Sequence, residues 1–115
     1  MLSEAVRAGI LHFNAGRYFD AHEAWEEHWG LGDPAERKLL LGLIKAAVAL
    51  HHLNARNAAG FLWQAQEAIK HLKANADVWP ELRLAELAEE MESLVAQLRF
   101  HGENASFELP RLPDP

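Results

Sequence analysis

A shortage of strand-forming residues is the main limit on what this chain of 115 residues can build. It has 20 alanines and 18 leucines against three isoleucines, four valines and no threonine. Alanine and leucine lead the helix-propensity ranking, whereas β-branched side chains are what a pleated sheet packs with. The expectation is an all-α fold, with the whole chain forming one compact domain around a modest core. The absence of cysteine removes disulfides, thiolate metal sites and cysteine nucleophiles. Eleven Lys and Arg against 17 Asp and Glu leave a net charge of -6. That balance argues against a nucleic-acid partner, because binding to phosphates needs clustered cations, and the clusters Arg37-Lys38 and Lys70/Lys73 are thin. The longest apolar run, Leu39 to Leu50, is interrupted by Gly42 and Lys45 and is too short for a bilayer. No basic stretch precedes an apolar segment at the start, so no signal peptide is expected. These features together point to a soluble cytoplasmic protein with no membrane partner.

Helix breakers and apolar spacing predict five helices, at about 3–13, 18–29, 34–56, 59–74 and 80–99, followed by an extended tail over 102–115. Val6, Ile10 and Phe13 recur at helical spacing, and Asn14-Ala15-Gly16 reads as a C-cap group. Asp33-Pro34-Ala35-Glu36 has an N-cap aspartate, a proline at N1 and a glutamate at N3. In the fourth helix Leu62, Ala65, Ile69 and Leu72 share one face, with Gln64, Glu67 and His71 opposite. Leu84, Leu87, Met91, Leu94 and Leu98 form the stripe of the fifth. The tail carries three prolines and is expected to cross the surface as a strap anchored by Phe107, Leu109 and Leu112. Trp63 lies off the apolar face of its helix, open to the tail, to a second subunit or simply to solvent.

The most informative polar placement lies in residues 18–29. At 100° per residue with His22 at zero, Tyr18 falls at about -40°, Trp25 at about -60°, Trp29 at about -20°, Phe19 at about +60° and Glu26 at about +40°. His22 and Glu26 thus sit on the aromatic face, with Glu23 at its edge. A carboxylate buried there needs a partner or must take up a proton. The third helix, expected to be central, offers Lys38, Lys45, His52 and Arg56 along one line. One reading makes this line the solvent side; the other has Lys45 and His52 facing Glu26 and Glu23 across an interhelical cleft, while His51 points about 100° away from His52.

The cluster reads first as structural: Glu26 paired with Lys45 or His52 in a buried network that fixes the two helices against each other. One alternative is a metal site built from His22, Glu23, Glu26 and His51 or His52, the basis of a small metal-dependent hydrolase. The order His-Glu-x-x-Glu is not the zincin motif, which needs a second histidine where Glu26 stands. Another is metal-free acid–base chemistry by Glu26 and His52, with Lys45 holding an anion; no nucleophile or phosphate loop accompanies it. A further alternative is a protein-interaction or homo-oligomeric scaffold. No cofactor is expected, a divalent metal being the one candidate.

The run Phe13-Asn14-Ala15-Gly16-Arg17-Tyr18-Phe19-Asp20-Ala21-His22-Glu23-Ala24-Trp25-Glu26 adds a further line of argument. Together with Leu43-Ile44-Lys45-Ala46-Ala47-Val48-Ala49-Leu50-His51-His52 and Asn57-Ala58-Ala59-Gly60, it resembles the DUF309 family of small helical proteins. The resemblance covers about residues 3–72. It implies a compact helical bundle and carries no established activity. The positions matching the family's polar motif are Asn14, Tyr18, His22, Glu23, Glu26, Trp29, His52 and Asn57. That pattern commonly has glutamine where Lys45 stands, and an ammonium there would repel a dication.

Overall fold

The computed structural model describes residues 2–102 and 106–115; Met1 and positions 103–105 of the expected tail lie outside the described residues. The helices are α1 (Glu4–Asn14), α2 (Tyr18–Trp29), α3 (Pro34–Asn54), α4 (Ala58–Asn75) and α5 (Leu84–His101). No strand occurs among the described residues. Three helices start on side-chain caps that satisfy otherwise unpaired amides. Ser3 accepts from the Val6 N–H at 3.3 Å, Asp33 from Glu36 at 2.8 Å and Asn57 from Gly60 at 3.0 Å. α1 ends as Gly16 turns left-handed at φ 79°. The Arg17 amide then reaches back 2.9 Å to the His12 carbonyl, a closure that glycine makes without steric penalty.

Helix ends shift from expectation by up to four residues, and two of the shifts have a visible backbone cause. α3 stops at Asn54 rather than 56, because Arg56 takes φ 58° and the Asn57 amide bonds the His52 carbonyl at 2.8 Å. The fifth helix starts at Leu84 rather than 80. Pro80–Leu82 form a 3-10 turn, and Arg83 at φ 51° re-aims the chain so that Leu82 and Leu84 are both buried.

α3 is central in the sense expected, packing on α2 and most extensively on α4. Small residues make this possible. A Cβ on Gly42 would lie 3.2 Å from the His71 Cβ. On α4 the buried residues are Phe61, Ala65, Ala68 and Leu72, while Leu62 and Ile69 are half-buried. The face is rotated from the expected one because alanine admits the neighbouring backbone more closely than leucine or isoleucine, which move to the flanks. Gln64, Glu67 and His71 are half-buried rather than fully outward. α1 and α2 join through Trp25, which is fully buried. Its indole N–H donates 3.1 Å to the Val6 carbonyl, and its ring lies 6.0 Å from that of Phe13.

The tail is a strap, as expected. Leu112 is buried, and Phe107 and Leu109 pack half-buried on the core. The radius of gyration, 13.2 Å, is that of a compact chain of this length (about 13 Å), and the burial of Pro110 and Leu112 places the strap on the bundle. It passes over α5 near Glu90. Desolvation, then the charges of Glu86 and Glu108, holds the Glu90 carboxyl above its ordinary range. The folded chain therefore binds this proton more tightly than the unfolded chain. The resulting stability is present below the ordinary carboxyl range and is lost as pH rises through the elevated value. Denaturant titrations across that window should show stability falling with pH, and Glu90→Gln should flatten the slope. An unchanged slope in Glu90→Gln would assign the dependence to another group.

Candidate functional site

α2 turns its buried side toward Tyr18, Ala21 and Trp25. The aromatic face is thereby split: Phe19 is 53% exposed and Trp29 41% exposed. Glu26, expected at the centre of a buried face, has a side chain 62% exposed. The physical reason is the contact of Trp25 with Gly9. A Cβ at position 9 would overlap the indole, so only glycine lets α2 roll this far toward α1. Ala21 adds to the close approach, and a reading centred on aromatic residues gives no weight to either small residue.

The expected network between Glu26 and α3 therefore does not form. The His22 Nε2–H donates to Glu26 Oε2 at 2.5 Å within α2 itself, and His22 Nδ1 is buried with no hydrogen-bond partner among the described residues. Glu23 is exposed, and Lys45 is half-buried with no carboxylate partner among the described residues. Tyr18, His22, His51 and His52 do come together. With Phe19 and Val48 they line a cleft of about 200 Å³ between α2 and α3. Phe19 stands beside the imidazoles of His22 and His51, with ring centroids at 5.6 and 5.7 Å. His51 and His52 lie 6.0 Å apart, so their divergence along α3 does not keep them out of one cleft. Tyr18 packs edge-on to Phe13 at 5.3 Å, and desolvation raises its phenol above the ordinary value.

His52 is held in one orientation. Asn57 Oδ1 is occupied by the Gly60 amide, so its Nδ2 faces His52 Nδ1 at 3.2 Å. An amide nitrogen only donates, hence Nδ1 accepts and the proton of the neutral ring sits on Nε2. Gly60 makes room, since a Cβ there would lie 2.8 Å from His52 Cγ and 2.7 Å from Asn57 Nδ2. Both ring nitrogens of this tautomer lack a free lone pair, which is what a metal ligand or general base requires. Among the described residues no group of three or more His, Asp or Glu side chains is arranged to hold a metal ion.

Two polar contacts lie outside the expected network. Glu36 Oε1 accepts from the Ser3 hydroxyl at 3.1 Å and from His28 Nε2–H at 2.6 Å, tying together the start of α1, the end of α2 and the start of α3. Its sequence signal, glutamate at N3, predicts only a local cap. Asn14, expected in a C-cap group and among the polar-motif positions, bonds the strap instead. Its Nδ2 donates to the Leu112 carbonyl at 2.9 Å and its Oδ1 accepts from the Leu112 amide at 2.8 Å.

Comparison with known proteins agrees with the resemblance. The uncharacterized protein YpuF of Bacillus subtilis (strain 168) is 34% identical over 105 residues, covering 88% of this chain and 60% of YpuF. An uncharacterized protein of Aquifex aeolicus (strain VF5) is 29% identical over 94 residues, covering 81% of this chain and 28% of the relative. The chain thus spans less than two thirds of either relative. No solved structure matches it. The family model for DUF309, a domain of unknown function, matches residues 6–64. On these grounds the chain belongs to the DUF309 family.

Proposed function

We propose that this helical domain is a non-catalytic assembly module that pairs with a second copy of itself through the α2–α3 face. The observation that carries the reading is Phe19, more than half exposed and set against two imidazoles at the mouth of the cleft. At about 200 Å³ the cleft falls below the roughly 300–1,000 Å³ of small-molecule and cofactor sites. It is the right scale for one inserted ring. Because Phe19 borders its own cleft, a two-fold axis would place each Phe19 in the other copy's cleft, giving a closed, self-complementary contact. Charge favours the same partner. On the side that carries the cleft α2 presents Glu23 and Glu26, and α3 presents Lys38 and Lys45. The one acid of α3, Glu36, is already engaged by Ser3 and His28. Acidic α2 of one copy thus faces basic α3 of the other. A cytoplasmic setting suits this reading, supported by the acidic, cysteine-free composition and by the lack, among the described residues, of a helix long and apolar enough to cross a membrane.

Sedimentation equilibrium on the purified protein tests the proposal. The expected result is a monomer–dimer equilibrium weakened by salt. Phe19→Ala should raise the dissociation constant about 30-fold, the size of a 2 kcal/mol interface anchor, with helix content unchanged and with the melting temperature unchanged at concentrations where both proteins are monomeric. A protein that stays monomeric up to about 1 mM, where the binding free energy is only about 4 kcal/mol, overturns the reading.

A further inference from the structure

A second site lies beneath the strap, and none of its residues lines the α2–α3 cleft. Asn14 uses both ends of its amide on one backbone unit, accepting from the Leu112 N–H and donating to the Leu112 carbonyl. That exchange is the one an adjacent β-strand makes, and it reads backbone rather than side chain. It requires an extended residue with a free N–H, which excludes proline at that position. Leu112 is 3% exposed, and Pro110, two residues earlier, is also buried. Prolines at 110 and 113 fix φ on both sides, so the segment has little conformational freedom to lose on docking.

The strap fits this groove imperfectly. A cavity of about 460 Å³ remains between it and α5, lined in part by Glu90, Ser93, Gln97 and Glu108. Desolvation, then the charges of Glu86 and of the strap's Glu108, raise the Glu90 carboxyl; although Arg111 of the strap lines the same cavity, the two acids Glu90 and Glu108 oppose docking when both are ionised. A segment evolved only to seal the bundle would fill the space and avoid the repulsion.

We infer that this groove is a peptide-recognition site for an extended, proline-flanked leucine segment of another protein, Pro-x-Leu-Pro, and that the chain's own Pro110-Arg111-Leu112-Pro113 occupies it as an internal competitor. The acidic wall of α5, Glu86 and Glu90, sets a preference: the better ligand carries a cation where the strap has Glu108. Opening the site requires release of two hydrogen bonds, of the buried Pro110 and Leu112 and of the half-buried Phe107 and Leu109, a local event that leaves the five helices in place.

The test uses the full-length chain with Leu112→Lys, which disables its own strap, and a fluorescent peptide with the sequence of residues 106–115. Binding measured by anisotropy should be saturable, and at least tenfold tighter than to the wild type, whose tethered strap competes at an effective concentration in the millimolar range. Adding Asn14→Ala to the variant should abolish binding. A peptide carrying Glu108→Lys should bind more tightly than the parent. Absence of binding up to about 1 mM peptide, in a variant that keeps its helix content, overturns the proposal and leaves the strap as a packing element. Should Leu112→Lys lose its helix signal, hydrogen exchange on the wild type decides the matter. The Leu112 amide should exchange at least 100-fold faster than the slowest core amides, and faster still with excess peptide. Exchange of that amide only with global unfolding overturns the inference.

Discussion

Replacing Trp25 by alanine should destabilise the protein by about 3–5 kcal/mol, the range for emptying a large aromatic site, and should leave it close to unfolded if its total stability lies at the low end for its size. The side chain is fully buried, packs on Phe13 and spends its N–H on the Val6 carbonyl. The same contact reverses the usual rule for helix glycines. Gly9 sits inside α1, where alanine would ordinarily gain about 1 kcal/mol. Here its Cβ would overlap the indole, and overpacking costs about 1–3 kcal/mol or more. Gly9→Ala should therefore be destabilising by about 2 kcal/mol. In Gly9→Ala/Trp25→Phe the two losses should be less than additive, because the smaller ring vacates the space the methyl needs. Urea denaturation of the wild type, Trp25→Ala, Gly9→Ala, Trp25→Phe and the double variant measures all of this; a stabilised Gly9→Ala would mean that α2 does not rest on that glycine.

Loss of the Glu36 carboxylate is the other large effect. It receives the Ser3 hydroxyl and the His28 imidazole with a side chain only 17% exposed, and hydrogen bonds to a charged acceptor are worth about 1.5–3 kcal/mol. Glu36→Ala should cost about 2–3 kcal/mol and Glu36→Gln somewhat less, since the amide oxygen can still accept one of the two donors. In a double-mutant cycle with His28→Ala a large share of the loss should disappear. Strict additivity of Glu36→Ala and His28→Ala would show that the two side chains do not interact.

How much could be read beforehand differs by element. α2 was located to the residue because Gly16 and Gly30 bound it, and Asp33-Pro34 set the start of α3. The stripe of α5 held because leucines alternate with acids and alanines over its whole length. The start of α5 was misplaced because nothing in Arg83 announces a left-handed backbone. The site was misread for a related reason. Helical arithmetic placed His22, Glu26, Phe19 and Trp29 correctly around α2, yet it cannot choose which arc of that circle is buried. Large apolar residues pulled the expected centre toward Phe19 and Trp29, whereas Gly9 and Ala21 drew α2 the other way. Glu26 consequently went to solvent, and its partner became His22 on its own helix. Asn14 and Glu36 were visible as polar residues at helix ends, but their partners are 98 and 33 residues distant, beyond any local pattern.

The sequence by itself determined the helical class, the approximate element boundaries and the apolar anchors of the tail, because propensity, capping and breakers act over a few neighbouring residues. Only the tertiary structure decided the roll of α2, the gathering of His22, His51 and His52 beside Phe19, and the seating of the strap on Asn14. Those depend on how closely two backbones can approach, which is set by glycines and alanines whose side chains leave almost no periodic signal.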